Sequence, residues 1–205
     1  MAVLRGSPGL HGQSTVERWP VSQTTLIVPG LHGSDAGHWQ SWWRQDHRHA
    51  VLVEQTDFSN PDADAWLASL ENAVRANPHC LIVAHSLGSI LTARLATSSV
   101  APLVAGALLV APAEIERTQS VHHRTYEFGK MPRRPLPFPS LVVASRNDIY
   151  MPFNQIRELS TAWGSPMHDL GFAGHINIAS GFGRWPQGYA LARELEVSID
   201  KLAHA

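Results

Sequence analysis

The feature that most constrains this chain is the run Cys80-Leu81-Ile82-Val83-Ala84, apolar throughout, with a helical pattern beginning directly behind it. A strand with one wet face alternates apolar and polar side chains. A strand that is apolar at every position is covered on both faces, as in a parallel sheet with helices packed on either side. Similar short runs at Thr24–Val28, Val51–Val53, Ala107–Val110 and Leu141–Ala144 predict further strands, and Met167–Leu170 reads as a short last one. Between them lie helical patterns. Trp39, Trp42 and Trp43 recur at i, i+3, i+4. Trp66, Leu67, Leu70 and Val74 form a second stripe, which Asn60-Pro61 is expected to open and Asn77-Pro78 to stop. Leu87, Ile90, Leu91 and Leu95 form a third, and Ile156, Leu159 and Trp163 a fourth. A last helix is expected from near Pro186, aligning Ala192, Leu195, Ile199 and Leu202. Such alternation predicts an α/β fold: a mostly parallel sheet flanked by helices on both faces, with ligand sites at the carboxyl ends of the strands.

Residues 1–22 mix glycine, proline and serine without periodicity and read as a flexible leader. Residues 23–205 read as a single domain with a short excursion at about 111–139. Prolines 112, 132, 135, 137 and 139 leave room there for at most one short helix, expected through His122 to Phe128. Composition removes several function classes. Hydrophobic residues make up 44% and charged residues 16% of 205, which is a globular balance. The formal charge is −1, and the nearest approach to a basic patch, Arg133-Arg134, sits among prolines, so no nucleic-acid partner is expected. No apolar run approaches the roughly 20 residues of a spanning helix, so no membrane partner is expected either. Residues 1–20 hold no apolar signal-peptide core, and the lone Cys80 permits no internal disulfide. A cytoplasmic location is the expectation.

The residues just behind each strand carry the chemistry. Ala84-His85-Ser86-Leu87-Gly88 matches the nucleophile elbow G-x-S-x-G, with alanine in the first glycine position. A sharp strand-to-helix turn lifts the serine hydroxyl out of the sheet, and the residues two before and two after must be small because strand and helix crowd there. Taken alone, the pentapeptide is equally compatible with a serine capping an ordinary helix. A serine nucleophile also needs a base, and the base an orienting group. Asp148 follows the strand Leu141–Ala144, and His175 sits in the glycine-bracketed loop Gly171-Phe172-Ala173-Gly174-His175 after the last strand. The order Ser86, Asp148, His175, each behind its own strand, raises the reading well above any one of them. Two backbone donors are needed for a tetrahedral oxyanion. Leu87 N–H is one candidate. Leu31 N–H is the other, in Pro29-Gly30-Leu31-His32-Gly33. Trp39 and His32 are further candidates for substrate contact. No glycine-rich phosphate loop follows a strand, so no cofactor is expected. The pairs His47/His49 and His122-His123 lack a carboxylate or cysteine at ligand spacing, so no metal is expected.

These segments resemble the small single-domain serine hydrolases of the α/β-hydrolase superfamily, related to the retinoblastoma-binding serine hydrolase and its bacterial relatives. The resemblance covers roughly residues 24–204. Its markers are Pro29-Gly30-Leu31-His32-Gly33-Ser34 with His38-Trp39, the elbow, Asn147-Asp148 with Pro152, Gly174-His175-Ile176-Asn177, and Gly183-Arg184-Trp185-Pro186. It implies an α/β-hydrolase core with a reduced sheet, and carries the triad onto Ser86, Asp148 and His175. The L-x-C-x-E type motif of the retinoblastoma-binding member is absent, since Cys80 stands in His79-Cys80-Leu81, so that partner function does not carry over. The expectation is an enzyme that cleaves a small acyl ester, thioester or amide through an acyl-serine intermediate. The alternatives are a catalytically idle binding protein on the same fold, and an acyltransferase or carbon–carbon hydrolase using the same three residues.

Overall fold

Six short segments become strands, and all five pairings between them are parallel. The computed structural model describes residues 24–203; the leader read over residues 1–22 lies outside them. The strands are β1 (Thr25–Val28), β2 (Ala50–Leu52), β3 (Cys80–His85), β4 (Val104–Val110), β5 (Ser140–Ala144) and β6 (Met167–Asp169), side by side in the order β2-β1-β3-β4-β5-β6. The chain runs outward from β1 to β2, then crosses back to place β3 on the other side of β1. That reversal opens a crevice beyond the carboxyl ends of β1 and β3, where ligands bind in sheets of this type.

Helices α1 (Trp39–Asp46), α2 (Ala63–Ala76), α3 (Leu87–Arg94), α4 (Ile115–His122), α5 (Phe153–Trp163) and α6 (Pro186–Ala203) connect and flank the strands. Successive side chains of β3 feed opposite cores, as the unbroken apolar run requires. Cys80, Ile82 and Ala84 pack with Trp66 and Leu70 of α2, Ile90 of α3 and Ile156 of α5. Leu81 and Val83 pack with Trp39 and Trp43 of α1 and Leu195 of α6.

Two helix starts differ from the sequence reading. Helix α2 is capped by Asp62, whose carboxylate accepts the Ala65 N–H, and not by Asn60, which instead bonds the Asp57 carboxylate in the turn before it. The single helix of the 111–139 excursion is Ile115–His122, upstream of the expected His122–Phe128. Glu114 caps it by accepting the N–H groups of Glu116 and Arg117. The segment behind it, with Tyr126 and Phe128, is buried against the body and tied down by the Ala63 N–H to the Glu127 carbonyl.

Candidate active site

The site begins with a strained serine. Ser86 lies between β3 and α3 with φ 57° and ψ −125°, a conformation that a non-glycine residue holds only when its surroundings impose it. They do. The Ser86 N–H donates to the Val110 carbonyl at 3.0 Å. A Cβ on Gly88 would come within 2.3 Å of the Val28 carbonyl oxygen and 2.5 Å of that of Pro29, so no larger residue fits there. A Cβ on Gly30 would approach the Ser86 Cβ to 2.7 Å, so the loop behind β1 lies directly against the elbow. Leu31 and Leu87 therefore stand on either side of the serine. Among the described backbone hydrogen bonds, neither of their N–H groups donates to a protein acceptor. For Leu87, at the first position of α3, helix geometry supplies none.

The loop behind β5 meets the loop behind β6. Asn147 accepts the Gly174 N–H at 2.8 Å, Ser145 Oγ accepts the Ala173 N–H at 3.0 Å, and Ser180 Oγ accepts the His175 N–H at 3.0 Å. Gly174 (φ 57°) has no room for a side chain, since a Cβ would meet Ser180 Oγ at 2.3 Å. This scaffold sets His175 between the other two residues. Its Nδ1 lies 2.8 Å from Asp148 Oδ2 and its Nε2 lies 2.9 Å from Ser86 Oγ. The carboxylate can only accept from Nδ1–H, which leaves Nε2 bare to accept the serine proton. The other Asp148 oxygen accepts the Tyr150 N–H at 2.8 Å, which fixes the carboxylate in plane. All three side chains are buried, so their hydrogen bonds work in a low-dielectric setting.

Ser86 opens into a cleft of about 420 Å³. Leu31, His32 and Asp35 line one side, Thr118, His122 and Tyr150 a second, and Asn177 and Ile178 a third. The Tyr150 ring lies 4.4 Å from that of His175, and its hydroxyl is 3.2 Å from His122 Nε2. His38 and His85 border the same floor. Burial pushes the His38 imidazole down to about 4, with nearby His175 adding to the effect and Asp35 opposing it. Burial also holds His85 well below the ordinary histidine value. Both rings are neutral near pH 7.

Ser86, Asp148, His175, Leu31 and Leu87 thus converge, and His32 lines the cleft beside them. Trp39 does not. Read from the sequence as a candidate substrate contact, it is wholly buried, packs on Trp43 and Trp185, and donates its indole N–H to the Ile176 carbonyl at 2.8 Å. Sequence reasoning missed Asp35, His38, Tyr150 and Asn177 as cleft residues. Tyr150, two residues past Asp148, and Asn177, two past His175, are the ones with a positional signal. Asp169 is paired with Arg146 at the surface, away from His175. Among the described residues, no group of three or more histidine, cysteine, aspartate or glutamate side chains is placed to hold a metal ion. None of the described helices is long and apolar enough to cross a membrane.

Comparison with known proteins follows the same lines. The sequence pattern of the serine hydrolase family matches residues 25–194. Among solved structures, a YdeN-like hydrolase assigned in Pectobacterium atrosepticum is 32% identical, with a TM-score of 0.73 over 86% of this chain and 92% of that one. The ydeN gene product of B. subtilis is 20% identical, with a TM-score of 0.72 over 86% of this chain and 100% of that one. Esterase 2 of Thermogutta terrifontis, in its apo form, is 16% identical, with a TM-score of 0.64 over 87% and 84%. Among curated protein sequences none matches the chain.

Proposed function

The chain belongs to the serine hydrolase family, and from that premise we propose that it cleaves a small acyl ester, thioester or amide through an acyl-Ser86 intermediate. Ser86 Oγ attacks the carbonyl carbon while His175 Nε2 takes its proton. Asp148 holds the Nδ1–H tautomer and stabilises the imidazolium that forms. The carbonyl oxygen, now negative, is received by the N–H groups of Leu31 and Leu87. Collapse of the tetrahedral adduct expels the leaving group, protonated by His175. Water, deprotonated by the same imidazole, then attacks the acyl-enzyme and frees Ser86 with release of the acid. The reading rests on one observation above the others. An unbroken hydrogen-bond chain runs from Asp148 through His175 to Ser86, 2.8 Å and 2.9 Å in its two links, and ends at the floor of an open cleft.

The test is covalent labelling. A fluorophosphonate probe phosphonylates only a serine whose proton is drawn off by a base. Intact-mass analysis is expected to show one adduct on the wild-type chain and none on Ser86→Ala. That variant keeps its fold, because the hydroxyl faces the cleft. Full labelling of Ser86→Ala would overturn the assignment.

A further inference from the structure

The loop that carries His175 contains a second strained residue. Ile176 has φ 50°, a left-handed conformation that is a genuine outlier for a β-branched side chain. The peptide groups on both sides of it are gripped by ring N–H donors from other parts of the chain. His85 Nε2 lies 2.9 Å from the His175 carbonyl oxygen, and Trp39 Nε1 donates to the Ile176 carbonyl at 2.8 Å. A carbonyl can only accept, so Nε2 of His85 must carry the proton. Both donors are buried, 5% and 0% exposed, and the two rings stand edge to face with centroids 5.7 Å apart. Each is in turn fixed to the sheet. His85 is the last residue of β3 and the neighbour of Ser86. Trp39 opens α1, where the next residue, Gln40, donates to the carbonyl of Val28 at the end of β1 and to that of Val83 within β3.

We propose that His85 and Trp39 are positioning residues for the reaction: their N–H groups clamp the two peptide planes around Ile176 and thereby hold the His175 imidazole in line between Asp148 and Ser86. The proposal rests on the role assigned to His175 above. Without the clamp, Ile176 relaxes toward negative φ, the His175 carbonyl turns, and the imidazole swings off the line to Ser86 Oγ. The histidine in the elbow then serves the base as well as the nucleophile. The buried tryptophan behind the oxyanion loop acts on the site without touching substrate.

The test compares His85→Leu, His85→Gln and Trp39→Phe in the full chain, with p-nitrophenyl acetate as substrate. His85→Leu and Trp39→Phe remove one donor each. Both are expected to lose about 10- to 100-fold in kcat with little change in KM, the signature of misplaced catalytic geometry. The far-downfield proton resonance of His175 Nδ1–H against Asp148 should broaden or vanish in both. His85→Gln retains a side-chain N–H and should recover most of the loss. Circular dichroism establishes that each variant is folded; if Trp39→Phe is not, the His85 pair decides. A folded donor-less variant with unchanged kcat and an intact downfield resonance overturns the clamp. So does a loss in His85→Leu that leaves the resonance intact. Ser86→Ala run in parallel separates the two proposals. Hydrolysis that persists in Ser86→Ala overturns the reading of the site itself. Hydrolysis lost there, with normal turnover in His85→Leu, overturns only the clamp.

Discussion

Asp148 is the residue whose chemistry is easiest to isolate, because its two oxygens have separate tasks. One accepts His175 Nδ1–H and the other the Tyr150 N–H. Asp148→Asn preserves volume and one acceptor, but the amide either presents N–H to Nδ1 or turns its oxygen there and loses the Tyr150 contact. The first outcome moves the imidazole proton to Nε2, where it can no longer accept from Ser86. The expected fall in kcat is roughly 10³- to 10⁴-fold, as in related triads. It is read by steady-state hydrolysis of p-nitrophenyl acetate. Turnover within about tenfold of wild type would mean that the tautomer is set by another group. At this scale the sequence was informative for a physical reason. Ser86, Asp148 and His175 each sit directly behind a strand, and parallel strands bring their carboxyl ends to one edge whatever their separation along the chain. His38 and Asp35 carry no such address. They reach the cleft through the paths of loops, which periodicity does not encode. Trp39 looks like a substrate contact because it follows the loop behind β1, while its three-residue spacing to Trp42 marks a helix face and says nothing of which face is buried.

The elements that cover the site decide what it can hold. Five of the six strands are legible as apolar runs and the last, Met167–Asp169, as a short segment between helix and loop, while the helix starts near Pro152 and Pro186 show as proline signals. Helix α4 was not, because its cap is Glu114, a residue outside the serine, threonine, aspartate and asparagine set that usually marks a start. Its correct position matters for function. As Ile115–His122 it lays Thr118 and His122 against the cleft, while Tyr126 and Phe128 turn inward to the core. Among the described residues no deep aromatic pocket is left for a long chain. The walls are imidazoles, a phenol, a carboxylate and an amide, with Leu31, Ile178 and Ala179 as the apolar members. A methylene buried in an apolar pocket is worth about 0.8 kcal/mol, roughly a fourfold gain in kcat/KM for each one added. The cleft holds about 420 Å³ and is open to solvent, so methylenes added beyond a short chain stay in water and that gain is absent. The kcat/KM for p-nitrophenyl acetate or butyrate is expected to exceed that for the decanoate. A rate climbing steadily from acetate to decanoate would reveal an apolar channel and defeat this reading.

For the whole molecule, the same burial that neutralises the cleft histidines makes stability depend on pH in a definite way. His38 ionises near 6.5 in the unfolded chain and at about 4 in the fold. Burial shifts His85 and His47 in the same direction. Between pH 4 and 6.5 the unfolded state therefore holds protons that the folded state has shed, and stability rises with pH across that window. Glu196 works the other way. Its Oε2 is buried on α6 without a hydrogen-bond partner, and burial pushes its carboxyl up from 4.5 to about 7, with Asp200 adding and Arg193 opposing. Here the folded state keeps a proton that the unfolded state loses, so this contribution to stability falls as pH rises from about 4.5 through 7. At pH 6.5 the unfolded histidines still hold half of their protons, so up to and through that pH they outnumber the glutamate and their slope dominates. Stability is expected to rise with pH from about 4 through 6.5. Glu196→Gln isolates the second slope, because an amide has the shape of the neutral acid and no proton to lose. Urea denaturation of the two proteins should give nearly equal stability below pH 4.5. The variant should then gain progressively, up to about 3 kcal/mol by pH 8, the ceiling set by the size of the shift. A difference between the two proteins that does not change with pH would mean that Glu196 ionises in the fold as it does in water, and that its oxygen reaches solvent or a cation at neutral pH.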